Sequence, residues 1–494
     1  TTEIYTLSLH DALPIYSIRR AIMLKKRMSW LLAATMVASM GMGCVPAAAE
    51  ENTYDGTIRW LNYKPEVADA MNEIAAAYTE ETGINVEIET AASGQYEQTL
   101  TARIDSSEAP TIFVIDSVNM LNTWKDYISD LSDTELYSYV TDDAYTMNDG
   151  NGAIYGISYS LEAWGIIVNK KITDAYFASP NKSTEYTSLD DLYTFDALKA
   201  VVEDMTALKD ELGIDGVFGS TSLKAGDDWR YQSHLMNQPL YWEWGGNDNI
   251  DLNGEIPEFT FEYNENYKNI LDLYLNNSVI EPSLVGTKTV DDSMAEFALG
   301  KCAMIQNGVW AWNTINGTDG KAVEADDVCF IPITCGVEGE ENMGLNVGAG
   351  QYMCINSQSS EEDQKAAEEF LVWLFSSDTG KELVSKKLQF VTPFSTMEDA
   401  EYDNPLFASQ SAIAAAGKTA YCWASNLIPD QTWKDNMGGD LLQYAQGQME
   451  WEDVVKDAAD TWAVERDITN AADRKSTRLN SSHLRIAYAV LWVK

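Results

Sequence analysis

The sequence predicts an α/β fold, and three observations carry that expectation. Short apolar strands alternate with amphipathic helices near the start, one strand is apolar without a break, and the chain is too long for one core. Gly56–Leu61 reads as a strand ending at Asn62. Val67, Ala70, Met71, Ile74 and Tyr78 then recur at helical spacing, and Gly83 stands where the glycine after a helix belongs. Ile84–Ile88 alternates apolar and polar residues as a half-buried strand does, and Tyr96, Leu100 and Ile104 mark a second helix. Pro110–Ile115 is a continuous apolar run, the pattern of a parallel strand covered on both faces. Strands alternating with helices argue an α/β sheet. The body of roughly 420 residues exceeds what one hydrophobic core serves, so two lobes are expected.

The ends read differently from the body. Thr6–Ile15 and Asp473–His483 resemble in-frame translations of sequencing adapters, so residues 1–22 and 473–494 are expected to carry no selected fold. Lys25-Lys26-Arg27 followed by the uncharged stretch Met28–Met42 has the form of a secretory signal, spanning residues 23–49. Two exits compete. Gly41-Met42-Gly43-Cys44 resembles a lipobox that would place a lipid on Cys44, with Gly41 where an aliphatic residue is usual. Ala47-Ala48-Ala49 offers an ordinary cleavage site instead. Either exit puts the mature protein outside the cytoplasm, as a cell-surface lipoprotein or in secreted or periplasmic form.

Composition excludes several functions. The chain carries 77 acidic against 33 basic side chains, a net charge of −44. Such a surface repels nucleic acid and anionic membranes. Of three histidines, His10 and His483 fall in the terminal segments, leaving His234 alone and arguing against histidine-based catalysis. Cys302, Cys329, Cys335, Cys354 and Cys422 are an odd, scattered set, although Cys329 and Cys335 could pair. The sequence Asn249-Ile-Asp251-Leu-Asn253-Gly254 resembles the start of a calcium loop, but position twelve is Thr260 rather than Glu. No metal and no cofactor are expected.

Ligands of open α/β sheets sit beyond the carboxyl ends of the strands. Here those ends present Asn62, Tyr63 and Lys64 after one strand and Asp116 and Ser117 after another. Two aromatic segments add to them. Trp229, Tyr231, Tyr241, Trp242, Glu243 and Trp244 are interleaved with Asn237 and Gln238. Ala295–Thr314 reads as a helix end (Met294, Phe297, Ala298), a stop at Gly300, an apolar strand from Cys302 to Ile305, and an Asn307-Gly308 reversal at positive φ. Trp310 and Trp312 follow it. Core packing is the default for a lone tryptophan. Aromatic faces beside amides also suit a sugar, whose C–H face stacks while its hydroxyls hydrogen-bond.

The block Ala295–Thr314 resembles the helix, Gly-Lys, Ala-Met, Asn-Gly-x-Trp-Ala-Trp segment of bacterial extracellular solute-binding proteins, the maltose-binding type in particular. Ile154–Lys170 resembles the passage from that family's first lobe to its second, and Gly348–Ile355 its return. Leu441–Val455 is similar to the family's C-terminal helix pair, so the resemblance covers residues 55–465. It implies a two-lobe, type II periplasmic-binding-protein-like fold with an inter-lobe cleft and hinge glycines Gly348 and Gly350. The N-terminal lobe would comprise 54–162 with 348–395, and the C-terminal lobe 163–347 with 396–470. The implied ligand-binding residues are Asn62, Lys64, Asp116, Glu162, Gln238, Tyr241, Trp242, Trp310 and Trp433. Strand alternation would let only one of Trp242 and Trp244 face the cleft. Trp312 goes to the core, while Trp60 and Trp164 stand evenly between cleft floor and core.

Two departures from the family pattern matter. Asn62-Tyr63-Lys64-Pro65 lacks the acid of the maltose-binding type, and Ile115-Asp116-Ser117 lacks its arginine, so a ligand other than maltose is expected. The function implied is that of a non-enzymatic, monomeric binding component of an ABC importer. It would deliver a sugar or oligosaccharide to the transmembrane subunits of a permease, without nucleic acid. Two other readings stay open: a secreted glycoside hydrolase pairing Glu162 with Glu243, and a surface carbohydrate receptor without transport.

Overall fold

The computed structural model describes residues 54–148, 152–252 and 254–491, with side-chain environments through 471. The expected signal segment 23–49, Cys44 and residues 1–22 lie outside the described residues. Among the described residues ten strands form one sheet: β1 (Thr57–Asn62), β2 (Asn85–Thr90), β3 (Ile112–Ile115), β4 (Thr146–Asn148), β5 (Ile154–Asn169), β6 (Gly216–Phe218), β7 (Cys302–Gly308), β8 (Val328–Ile331), β9 (Met343–Ile355) and β10 (Thr419–Tyr421). The order is β2-β1-β3-β9-β5-β7-β6, with β4 and β8 paired to β5 and β10 to β9.

The first strands behave as their sequence predicts. β1 pairs in parallel with both β2 and β3. The helix Ala68–Thr82 between β1 and β2 buries Met71, Ile74, Ala75 and Tyr78, and Gly83 ends it at φ 78°. The all-apolar β3 is wholly buried, a central strand paired with β1 on one side and β9 on the other. Ser360 caps the helix Glu361–Ser376 by accepting from the Asp363 N–H, and Ser188 with Asp191 forms a capping box on a short 3₁₀ turn.

Two hydrophobic cores lie along the sheet. One draws on residues between Ile58 and Tyr159 and between Tyr352 and Met397. The other lies on two faces of β5, with Trp164, Ile166 and Val168 on one side and Ala163 and Ile167 on the other. β5 and β9 therefore serve both cores, and they pair antiparallel from Ile157↔Met353 to Trp164↔Asn346.

Three expectations are corrected. Asn307 and Gly308 do not reverse the chain: they are the last residues of β7, and Gly308 has no positive φ. Asn237–Glu243 is a helix, not a strand, so alternation does not govern Trp242 and Trp244. Cys329 and Cys335 are both free thiols. The last helix is Trp451–Leu491.

Candidate functional site

The site follows from one face of β5. Its odd-numbered side chains enter the cores, Ile157 and Tyr159 on one side of the molecule and Ala163 and Ile167 on the other. Its even-numbered face is polar at Ser158, Ser160 and Glu162 and turns apolar only at Trp164. Register places Tyr352, Gly350, Gly348 and Asn346 of β9 directly opposite those four residues, and Gly308 of β7 opposite Trp164. The result is a floor shared by three strands at the junction of the two cores.

The floor is polar and internally wired. The Ser160 hydroxyl donates to Glu162 Oε1 at 3.0 Å, and Ser158 Oγ lies 3.0 and 3.1 Å from the carbonyls of Ser160 and Gly350. Lys64 reaches in from the end of β1, its ammonium 2.8 Å from Glu162 and 3.4 Å from Glu66. The Lys64 and Glu162 side chains are only 6% and 4% exposed. Burial acts to lower the Lys64 pKa, but Glu162 and Glu66 outweigh it and hold the ammonium above its ordinary range. A buried pair this close is costly to break from either side.

An aromatic wall stands over the floor. The six-membered ring of Trp310 lies directly on Gly308, where any Cβ would collide with it. The Lys64 ammonium sits 5.4 Å from the Trp310 ring, a cation–π contact between the two lobes. His234 stacks on Trp164 at 4.3 Å and 13°, with Trp229 and Trp310 edge-on to it at 4.9 and 5.4 Å. The Ser93 hydroxyl donates to the Gly226 carbonyl at 2.9 Å. Several buried polar atoms here have no protein partner: Trp164 Nε1, Trp423 Nε1, Asn307 Nδ2 and Asp116 Oδ1. Asp116, at the end of β3, uses its other oxygen to accept from the Tyr63 hydroxyl at 3.0 Å.

The expected site residues thus divide. Lys64, Glu162 and Trp310 come together, and Asp116 adjoins them beside Tyr352 of the floor. Asn62 does not join them: its side chain donates to Lys64 O and Thr90 Oγ1 and accepts from the Lys64 N–H, so it shapes the turn that aims Lys64. Trp433 is fully buried in the second core, its indole donating to Ala458 O at 2.9 Å. Gln238 donates to Asn346 Oδ1, and Tyr241 packs on Trp242 and Tyr421. Trp244 donates to Glu258 O, away from the wall. Trp60 packs edge-on to Tyr159 and Phe370, and Trp312 lies 4% exposed in the second core.

His234 and Trp423 enter the site as well, and Trp164, evenly placed between floor and core by the sequence, is buried beneath His234. His234, the body's lone histidine, was the available signal for the first. Burial, followed by the Lys64, Arg230 and Lys434 charges, pushes the His234 pKa down to about 3. The imidazole is therefore neutral across the physiological range, and unfolding would let it regain a proton below pH 6.5. Its contribution is intact above pH 6.5 and is lost as pH falls toward 3. The melting temperature of wild type is expected to fall more steeply than that of His234→Gln across that window, by up to about 1.4 kcal/mol of stability per pH unit. Parallel pH profiles of the two proteins check this, and identical slopes would contradict it.

Two cores that share strands across a polar, aromatic-walled floor are the architecture of a solute-binding protein, and the sequence comparison agrees. Residues 73–415 match the family model of the bacterial extracellular solute-binding proteins, and the chain belongs to that family. No curated protein matches it. Among solved structures, a chitin oligosaccharide binding protein is similar at 16% identity and a TM-score of 0.64, over 83% of this chain and 98% of that one. A solute-binding protein in complex with raffinose gives 16% and 0.62, over 83% and 100%. An ABC substrate-binding protein of Listeria monocytogenes in complex with cycloalternan gives 16% and 0.60, over 82% and 97%. The family's description places such proteins outside the cytoplasm. Among the described residues no helix is long and apolar enough to cross a membrane.

Proposed function

We propose that this chain is the extracytoplasmic substrate-binding component of an ABC importer. It takes a sugar or oligosaccharide between its lobes and passes it to a membrane permease. The observation that carries this reading is the partly exposed face of Trp310 over a floor whose buried donors and acceptors no protein group satisfies. Pyranose rings supply both halves of what is missing: an apolar face to stack and hydroxyls to fill the empty hydrogen bonds. The solved relatives bound to raffinose and cycloalternan add support from the same architecture. Lipid attachment at Cys44 would hold it at the cell surface, and cleavage after Ala49 would instead release it in secreted or periplasmic form.

Nothing in the site favours the hydrolase reading over this one. Glu162 is bound to Lys64, and Glu243 accepts from the backbone of Thr260 and Glu262. A thermal-shift screen of maltose, raffinose and chitin oligosaccharides tests the proposal. A sugar present at 100-fold its Kd should add about 2.7 kcal/mol of stability and be recovered intact. Release of new reducing ends would point to hydrolysis, and no shift with any sugar would overturn the reading.

A further inference from the structure

Trp229 and His234 stand five residues apart in sequence, yet their rings touch edge to face at 4.9 Å. Around an α-helix of 3.6 residues per turn, side chains five apart point about 140° away from each other. Here the chain runs instead through a π-turn, Arg230–Leu235, whose wider i→i+5 closure turns both side chains toward one face. A buried peg holds that turn. Arg230, 1% exposed, donates to the Gln306 carbonyl at 3.2 Å and to Ser222 Oγ at 2.9 Å, and the Gln306 amide donates back to the Arg230 carbonyl at 2.6 Å. Gln306 belongs to β7, two residues before the Gly308 on which Trp310 rests. The peg therefore sets the Trp229–His234 face against the Trp310 ring, whose centroid lies 6.1 Å from Trp229 and 5.4 Å from His234.

Within this frame the imidazole is fixed on three sides. Trp164 lies flat beneath it at 4.3 Å, and the two partly exposed indoles meet it edge-on. His234 itself keeps part of its surface exposed, and no described residue hydrogen-bonds either of its ring nitrogens. A neutral imidazole presents one N–H donor and one acceptor, in a geometry its own ring makes rigid. We propose that His234 is the specificity-determining residue of the cleft, its two nitrogens reading a pair of hydroxyls on the saccharide that the Trp310 face stacks. Stacking alone separates sugars poorly, because most pyranoses offer an apolar face. A pre-set donor and acceptor separate them well, since a hydroxyl that is missing or turned away leaves a desolvated polar group unpaired. This inference rests on the reading that a sugar occupies the cleft, and adds which group of this chain selects among sugars.

The test is isothermal titration of the full chain with maltose, raffinose and chitin oligosaccharides, and then with monodeoxy analogues of whichever sugar binds. His234→Phe keeps a ring on Trp164 and removes both nitrogens, and near-UV circular dichroism confirms that it is folded. Wild type should prefer the parent sugar over one or two of the analogues by about tenfold or more. His234→Phe should bind the parent about tenfold more weakly than wild type does and show no preference over those same analogues. Imidazole nitrogen-15 spectra of the wild-type protein give the same answer without a substitution: the parent sugar should move the His234 resonances, and those analogues should move them less. Wild-type selectivity in folded His234→Phe, or unmoved His234 resonances at saturating sugar, would overturn the proposal while leaving sugar binding in place. Failure of the wild-type protein to bind any sugar of the panel would instead overturn the function above, and this proposal with it.

Discussion

Replacing Trp310 with alanine should abolish the thermal shift produced by any sugar that stabilises the wild-type protein. The expected loss is about 2–4 kcal/mol of binding free energy, roughly 30- to 1000-fold in Kd. The size follows from where the ring sits. It is partly exposed, held flat by Gly308 beneath it, and backed by the Lys64 ammonium and His234. A pre-set aromatic face loses little entropy when a ligand arrives, so most of its stacking energy appears as affinity. The fold should hardly notice, since a partly exposed ring contributes little to the core. Trp312→Ala is the contrast: that ring is buried, so its loss should lower stability by about 3–5 kcal/mol. Isothermal titration with the sugar found in the screen, alongside thermal melts, separates the two. Unchanged affinity in Trp310→Ala would remove this residue from the site.

Why Trp310 was legible in the sequence and Trp423 was not is a matter of what local pattern encodes. Strands β1, β2 and β3 and the helix Ala68–Thr82 follow from alternation, apolar runs and a stop glycine, all properties of neighbouring residues. Lys64 and Asp116 were visible because strand ends can be found and ligands gather there. The aromatic-rich segment from Trp229 to Trp244 suggested strand, because tryptophan and tyrosine favour pleated surfaces. It is helical because its rings pack on Tyr421 and Trp462, contacts made far along the chain. Asn307-Gly308 looked like a turn for a related reason: glycine marks either a special φ or a missing side chain, and only the Trp310 ring above Gly308 tells which. The floor itself depends on register between β5, β7 and β9, which no single segment specifies. Trp433 shows the reverse error, a resemblance in sequence whose ring here closes a core with Phe259 and Trp462.

Lys64→Ala should be the most destabilising change at the site, by about 3–5 kcal/mol, because it strands Glu162 as an unpaired charge in a buried setting. Glu162→Ala should cost less, since Glu66 remains within 3.4 Å to share the ammonium. The double variant Lys64→Met, Glu162→Gln keeps size and shape while removing both charges. It should recover most of the loss, giving a coupling energy above about 1 kcal/mol in a double-mutant cycle. The sign of the pH dependence follows from the direction of the Lys64 shift. Its folded-state pKa lies above the ordinary 10.5, so the stabilising contribution is fully present below that pH and is lost as pH rises through the folded value. Urea melts of wild type should therefore weaken on the alkaline side more than those of the double variant. Ligand binding should respond as well, because the same ammonium braces the Trp310 ring from the opposite lobe and ties closure to charge. Additive single-variant effects, with matching alkaline profiles, would show that the two residues stand side by side without acting as a pair.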